Sequence, residues 1–261
     1  MLIKNKTVSK ANLLFVILIF SLFSCRKKGQ PAPGTGEQNS GTAVKNVKQN
    51  NTGSKTTSPD SDMVPIEIKL PNAMFEGTPQ NVKVLNLEPP RASGKDRPPF
   101  LAPKGTENIA LNKPIIGFDE EPIIGELEMI TDGDKEATDG SFVELGPGLK
   151  AVTIDLGAEY NIYALCIWHY HKQPRVYYDV IVQTAEDQDF ITFVNTIFNN
   201  DIDNSSGLGV GKDMNYTETN EGKLIDAKGV KARFVRLYSN GNTSNELNNY
   251  IEVAVYGKPV K

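Results

Sequence analysis

Short apolar runs with a two-residue period fill the second half of the chain. Residues 151–156, 162–171, 178–183, 191–197, 232–238 and 250–256 are rich in Val, Ile, Tyr and Phe. Several of these runs alternate apolar with polar side chains, as half-buried strands do. Asp-Gly, Asn-Gly and Gly-Pro dipeptides punctuate the region, and no segment offers a long amphipathic helix. The pattern predicts an all-β domain over residues 106–261, built as a two-sheet sandwich.

The first hundred residues are patterned differently. Residues 63–71 alternate, but prolines then recur at Pro71, Pro79, Pro89, Pro90, Pro98, Pro99 and Pro103. Each proline removes an amide donor that a helix or a central strand needs. Residues 63–105 therefore read as an extended lead-in, partly packed on the domain that follows and not a second fold. Residues 25–62 are polar and rich in Gly, Ser, Thr and Asn, too poor in apolar surface to offset the entropy of ordering, and read as a disordered tether. Residues 1–24 read as a signal peptide. Lys4, Lys6 and Lys10 precede an apolar run over residues 13–23, whose helical length of roughly 17 Å is short of a ~30 Å hydrocarbon core.

Two sets of residues resemble known families. Leu22-Phe23-Ser24-Cys25 resembles the lipobox of bacterial lipoproteins. That resemblance implies acylation of Cys25 and a lipid anchor in the cell envelope, on its periplasmic or its cell-surface side. In the domain, Asn108–Pro114, Ile130–Asp134, Val152–Gly157, Tyr178–Gln183, Ala232–Tyr238 and Glu252–Gly257 follow one another in an order and spacing similar to the discoidin, or coagulation factor 5/8 type C, domain of the galactose-binding-like superfamily. The resemblance covers residues 106–258. It implies a jelly-roll β-sandwich with adjacent termini and ligand-binding loops at one end, in a family whose members bind glycans, lipids or proteins. It also implies a structural calcium ion, held by Asp132 and Asp134 in the first turn and Glu252 in the last strand. Thr138 and the carbonyls of Met129 and Ile251 complete that implied set. Carboxylate and carbonyl oxygens suit calcium, and Gly133 between the aspartates lets the chain curl around an ion. Read without the resemblance, the same residues make an Asp-Gly turn capped by its own side chains.

Charge and cysteine content narrow the picture. A net charge of −4, from 28 Lys+Arg against 32 Asp+Glu, with no basic stripe over residues 105–261, argues against a nucleic-acid partner. Of the two cysteines, Cys166 lies in an apolar run and is expected as a buried thiol, with no disulfide to Cys25. No nucleophile elbow, phosphate loop, zinc-protease helix or redox cysteine pair is present. His169 and His171, two apart on one strand face, either form a pair or serve local hydrogen bonds. Trp168 is expected in the core, and the acidic cluster Asp201, Asp203 in a solvated loop. Only the turn after residue 171 combines aromatics, arginine and histidine. Tyr177 and Tyr178 are therefore expected as sugar-stacking surfaces, with His171 and Arg175 as polar anchors. The Asn- and Gly-rich stretches 204–211 and 240–249 are the next candidates. The resulting expectation is a non-catalytic, membrane-tethered module that binds carbohydrate or another envelope polymer. Its alternatives are an adaptor lipoprotein docking on a partner protein and a glycan-active hydrolase.

Overall fold

Alternation along one long strand sorts the core into two layers. In a computed structural model that describes residues 62–75, 82–90, 95–116 and 121–260, eleven strands are named: β1 (Met63–Pro65), β2 (Leu101–Pro103), β3 (Glu107–Asn108), β4 (Ile115–Ile116), β5 (Val143–Leu145), β6 (Lys150–Trp168), β7 (Ile181–Ala185), β8 (Asn195–Asn199), β9 (Lys223–Ser239), β10 (Asn248–Tyr250) and β11 (Glu252–Pro259). The only regular helix among the described residues is a 3-10 turn over Leu127–Thr131. The class is all-β, as expected. Residues 1–24, expected as a signal peptide, Cys25, and all but the last residue of the stretch expected as a tether lie outside the described residues.

The main sheet runs β3-β11-β6-β9-β7-β8, with β4 also on β6, and every pairing in it is antiparallel. The two predicted strands over 151–156 and 162–171 are one element, because β6 continues through irregularities between Asp155 and Tyr160 and between Ile162 and Ala164. Gly157 at φ 85° and Gly229 at φ 76° supply left-handed backbone where β6 and β9 bend together. The bend folds β6 over a shared interior. Val152, Ile154 and Leu156 from its first half share one cluster with Leu165 and Ile167 from its second half and with Val253 and Val255 of β11. This is the expected sandwich. Pairing of Asn108 with Tyr256 brings the two ends of the domain together.

The irregularity at Ile162 and Ala164 also changes which parity faces that interior. Beyond it Ala164, Cys166 and Trp168 point the other way and join Ala254 and Tyr256 in a second cluster. The lead-in covers this outer face. Ile66, Ile68 and Phe100 pack on the cluster, and β1 pairs with β2 to make a short ribbon. Arg97 clamps the lead-in by donating to the carbonyls of Glu221 at 2.8 Å and Gly222 at 3.1 Å, and Asn220 donates to the carbonyl of Pro71 at 3.0 Å. Burial pushes the free Cys166 thiol up to about 12, so it stays protonated and inert as a small apolar filler. Trp168 is fully buried and donates to the carbonyl of Asn220 at 2.9 Å.

Candidate functional site

The turn after β6 does not present all its aromatics to solvent. Tyr177 is only 1% exposed: its hydroxyl donates to Asn249 Oδ1 at 2.9 Å, and its ring stacks on His169 at 4.4 Å. This corrects the expectation of Tyr177 as a sugar platform. Adjacent residues in extended chain point to opposite sides, and here the core takes Tyr177. His171 is likewise fully buried and donates from Nε2 to the carbonyl of Lys135 at 2.9 Å, so it is not at the surface as an anchor. Arg175 is half-buried, over the ring of Tyr170 at 4.6 Å and donating to Asn249 Oδ1 at 3.3 Å. Nη1 is thereby used within the protein, while Nε is buried without a partner. His169 and His171 do not act together, because His169 Nδ1 donates to Glu218 at 2.6 Å in the interior.

Tyr178 is the expected residue that reaches solvent, at 38% exposure. Its backbone is fixed on both sides, with its amide on the Gly241 carbonyl at 3.1 Å and its carbonyl accepting from Asn240 at 2.9 Å. Two surface grooves meet at Tyr178 and Asn240. One, of about 430 Å³, runs past Asp179, Asn200 and Asp203. The other, of about 570 Å³, is formed by the loop over residues 241–246 together with Gly148.

Amide side chains hold these loops from behind. Asn242 donates to Asn245 Oδ1 at 2.9 Å and to the Leu247 carbonyl at 2.8 Å, while Asn248 accepts from Gly241 at 2.8 Å. Gly241, at φ 71°, lies where an added Cβ would meet the Glu246 backbone at 3.1 Å. Sequence reasoning left this Asn-rich loop in second place. Its signal was compositional only, since nothing local says that an amide-rich loop faces a tyrosine some sixty residues earlier.

The acidic cluster is more built than a solvated loop. Asp179, Asp201 and Asp203 each bring a carboxylate oxygen within 4.8 Å of the others, the one such convergence of three potential ligand groups found among the described residues. Asp201 is 1% exposed. Burial works against its charge, yet bonds from Ser206 and Ser205 hold its carboxyl below the usual range. Asp179 accepts from Asn240 at 2.8 Å and from the Ser205 hydroxyl at 3.0 Å, and adopts φ 49°. These carboxylates brace the groove floor.

The implied calcium residues lie at another corner. Glu252 is fully buried; Oε2 accepts from the Gly133 amide at 3.0 Å, and Oε1 has no partner. Burial pushes its carboxyl up to about 7, against the bond from Gly133 and the charge of Lys135. Asp132 and Asp134 each cap the turn by accepting a backbone amide two residues on, at 2.8 Å and 2.9 Å. The unpartnered Glu252 oxygen is a buried acceptor that a cation could satisfy, but its carboxylate does not converge with those of Asp132 and Asp134 as the carboxylates of Asp179, Asp201 and Asp203 do. Thr138 does not join them: it is exposed, and its hydroxyl pairs with Ser141 at 3.0 Å.

No family model and no curated protein matches the chain. Solved structures similar to it include a family 89 glycoside hydrolase from Clostridium perfringens, at 19% identity and TM-score 0.42 over 59% of this chain. The matched part is 15% of that hydrolase's length. They also include a fucose-binding module of Streptococcus pneumoniae, at 18% identity and TM-score 0.39, with 59% of this chain and 99% of the module covered. A third is the family 32 carbohydrate-binding module of AlyQ in complex with 4,5-unsaturated mannuronic acid, at 16% identity and TM-score 0.37, covering 54% and 96% of the two chains. Two of these three are carbohydrate-binding modules by name.

Proposed function

We propose that the chain is a non-catalytic module of the discoidin-like kind that binds carbohydrate, held to a bacterial membrane through Cys25. The observation that carries this reading is Tyr178, a partly exposed ring with a fixed backbone where two polar grooves meet. A sugar offers an apolar C–H face for such a ring and hydroxyls for the amides and carboxylates around it. Engagement of Asp179 and Asp201 as braces favours recognition over acid–base chemistry, which needs a carboxylate free to exchange a proton with substrate. The adaptor reading draws on Ile191 and Phe193, 80% and 69% exposed ahead of β8. Two side chains at a loop tip fall well short of a broad apolar docking face.

The test is a glycan screen of the wild-type chain beside Tyr178→Ala. Binding is expected in the micromolar to millimolar range. The variant should lose on the order of tenfold or more in affinity with an unchanged melting temperature, since a half-exposed ring contributes little to the core. Equal binding by Tyr178→Ala and wild type would place recognition elsewhere.

Calcium belongs to the same proposal. Asp132, Asp134 and Glu252 would hold it, and the ion would neutralise a buried carboxylate and pin the first turn to β11. Because an ion that binds only the folded state stabilises it by mass action, about 2.7 kcal/mol at a hundredfold excess over its dissociation constant, adding chelator should lower the melting temperature. Glu252→Gln should remove that sensitivity; a wild-type curve indifferent to chelator returns the turn to a self-capped Asp-Gly. Attachment through Cys25 predicts incorporation of labelled fatty acid by the wild type and none by Cys25→Ala. Labelling that survives the substitution would refute the anchor.

A further inference from the structure

The first groove has a wall that the domain does not supply. Lys83, Val84 and Leu85 of the Pro-rich lead-in line it opposite Asp179, Asp203 and Asn240. This segment lies outside residues 106–258, over which the discoidin resemblance runs. It is nonetheless fastened in place. The Glu88 amide donates to the Asn215 carbonyl at 2.7 Å, and the Asn215 amide donates back to Asn86 at 2.9 Å. Asn215 Nδ2 donates to the Leu85 carbonyl at 2.8 Å, Asn86 Nδ2 to the Asp213 carbonyl at 3.1 Å, and Lys223 pairs with Glu88. Asn215 is 5% exposed, so its bonds to the lead-in are sheltered from water. A passive linker needs none of these contacts. Between them they fix Leu85, whose side chain is left 78% exposed at the groove edge.

We infer that the lead-in is part of the recognition surface and that the ligand is a carbohydrate chain of at least two residues, crossing Tyr178 from the groove walled by Lys83 and Leu85 into the one formed by residues 241–246. The inference rests on the carbohydrate reading above. Each groove has the size of a small-ligand site on its own, and the two join at Tyr178 and Asn240. One monosaccharide on Tyr178 leaves much of both grooves unused, whereas a longer chain meets both. In the first groove it finds an apolar edge in Val84 and Leu85, a cationic donor in Lys83, and amide and carboxylate partners in Asn240 and Asp203. That mixture suits the alternating C–H faces and hydroxyl edges of linked sugars.

The experiment measures affinity of the full chain for ladders of one to four β-linked residues of glucose, galactose and N-acetylglucosamine, with wild type and a Lys83→Ala, Leu85→Ala double variant. Both side chains are exposed, so the variant should keep the wild-type melting temperature. Wild-type affinity should rise on the order of tenfold between one residue and three, as added contacts come without a second loss of translational freedom. The variant's affinity for the trisaccharide should fall to near the wild-type value for the monosaccharide. Affinity that is flat with chain length, or a variant that holds the trisaccharide as well as wild type, overturns the extended site while leaving carbohydrate recognition standing. Failure of every sugar, on the ladders and in the glycan screen alike, overturns both.

Discussion

Trp168→Ala should destabilise the protein by about 3–5 kcal/mol, the usual cost of truncating a buried aromatic, and lower the melting temperature on the order of 10 °C. The ring is fully buried between the main sheet and the lead-in, among Cys166, Ala254 and Tyr256 and beneath Phe100 and Ile66. Its loss opens a cavity that the neighbouring elements cannot fill. Gly222, at φ 64°, already lies where an added Cβ would touch the indole at 2.7 Å, and Arg97 holds the lead-in to the carbonyls of Glu221 and Gly222. Removal of the indole also orphans the Asn220 carbonyl. Cys166 should become measurably reactive toward a thiol reagent at a denaturant concentration that leaves wild type protected, because its shelter is the same layer. A loss under about 1 kcal/mol would mean that the lead-in is not an integral layer of the fold.

Glu218→Ala should be comparably costly, at about 3–5 kcal/mol, because it leaves one partner of a buried pair alone. Glu218 and His169 are both fully buried, joined at 2.6 Å, and the imidazole sits between Tyr177 at 4.4 Å and Tyr250 at 4.8 Å. The Glu218 amide also donates to the Arg175 carbonyl at 2.8 Å, which ties the pair to the turn that carries Tyr177 and Tyr178. Burial, with the Glu218 carboxylate beside it, raises the Tyr216 hydroxyl well above its ordinary value and keeps it a neutral donor. Glu218→Gln retains an oxygen to accept from His169 Nδ1 and should cost less than half as much in urea unfolding. Equal losses from Ala and Gln would show that the bond to His169 contributes nothing beyond side-chain volume. Because this pair lies behind the turn, Glu218→Ala should also weaken the proposed carbohydrate binding, by loosening Tyr178.

The alternation of apolar and polar residues determined the all-β class by itself, because a two-residue period puts one face of each segment in a core whatever its partners are. Proline density likewise argued against a helix in residues 63–105, since missing amide donors are a local property, and the described residues of that stretch, 63–75, 82–90 and 95–105, carry none. Burial of Cys166 and Trp168 followed from their apolar surroundings, although which face was the core did not. Tertiary structure decided that both faces are buried: the irregularity between Ile162 and Ala164 exchanges the parities, and the lead-in supplies the second layer. It also separated two neighbours that the sequence treats alike, taking Tyr177 into a bond with Asn249 and leaving Tyr178 at the meeting of two grooves. Local composition could mark the turn but not its orientation, which depends on contacts with Asn240 to Asn249. The wall from Lys83 to Leu85 had no local signal at all, because its place comes from bonds to Asp213 and Asn215, well over a hundred residues further along the chain.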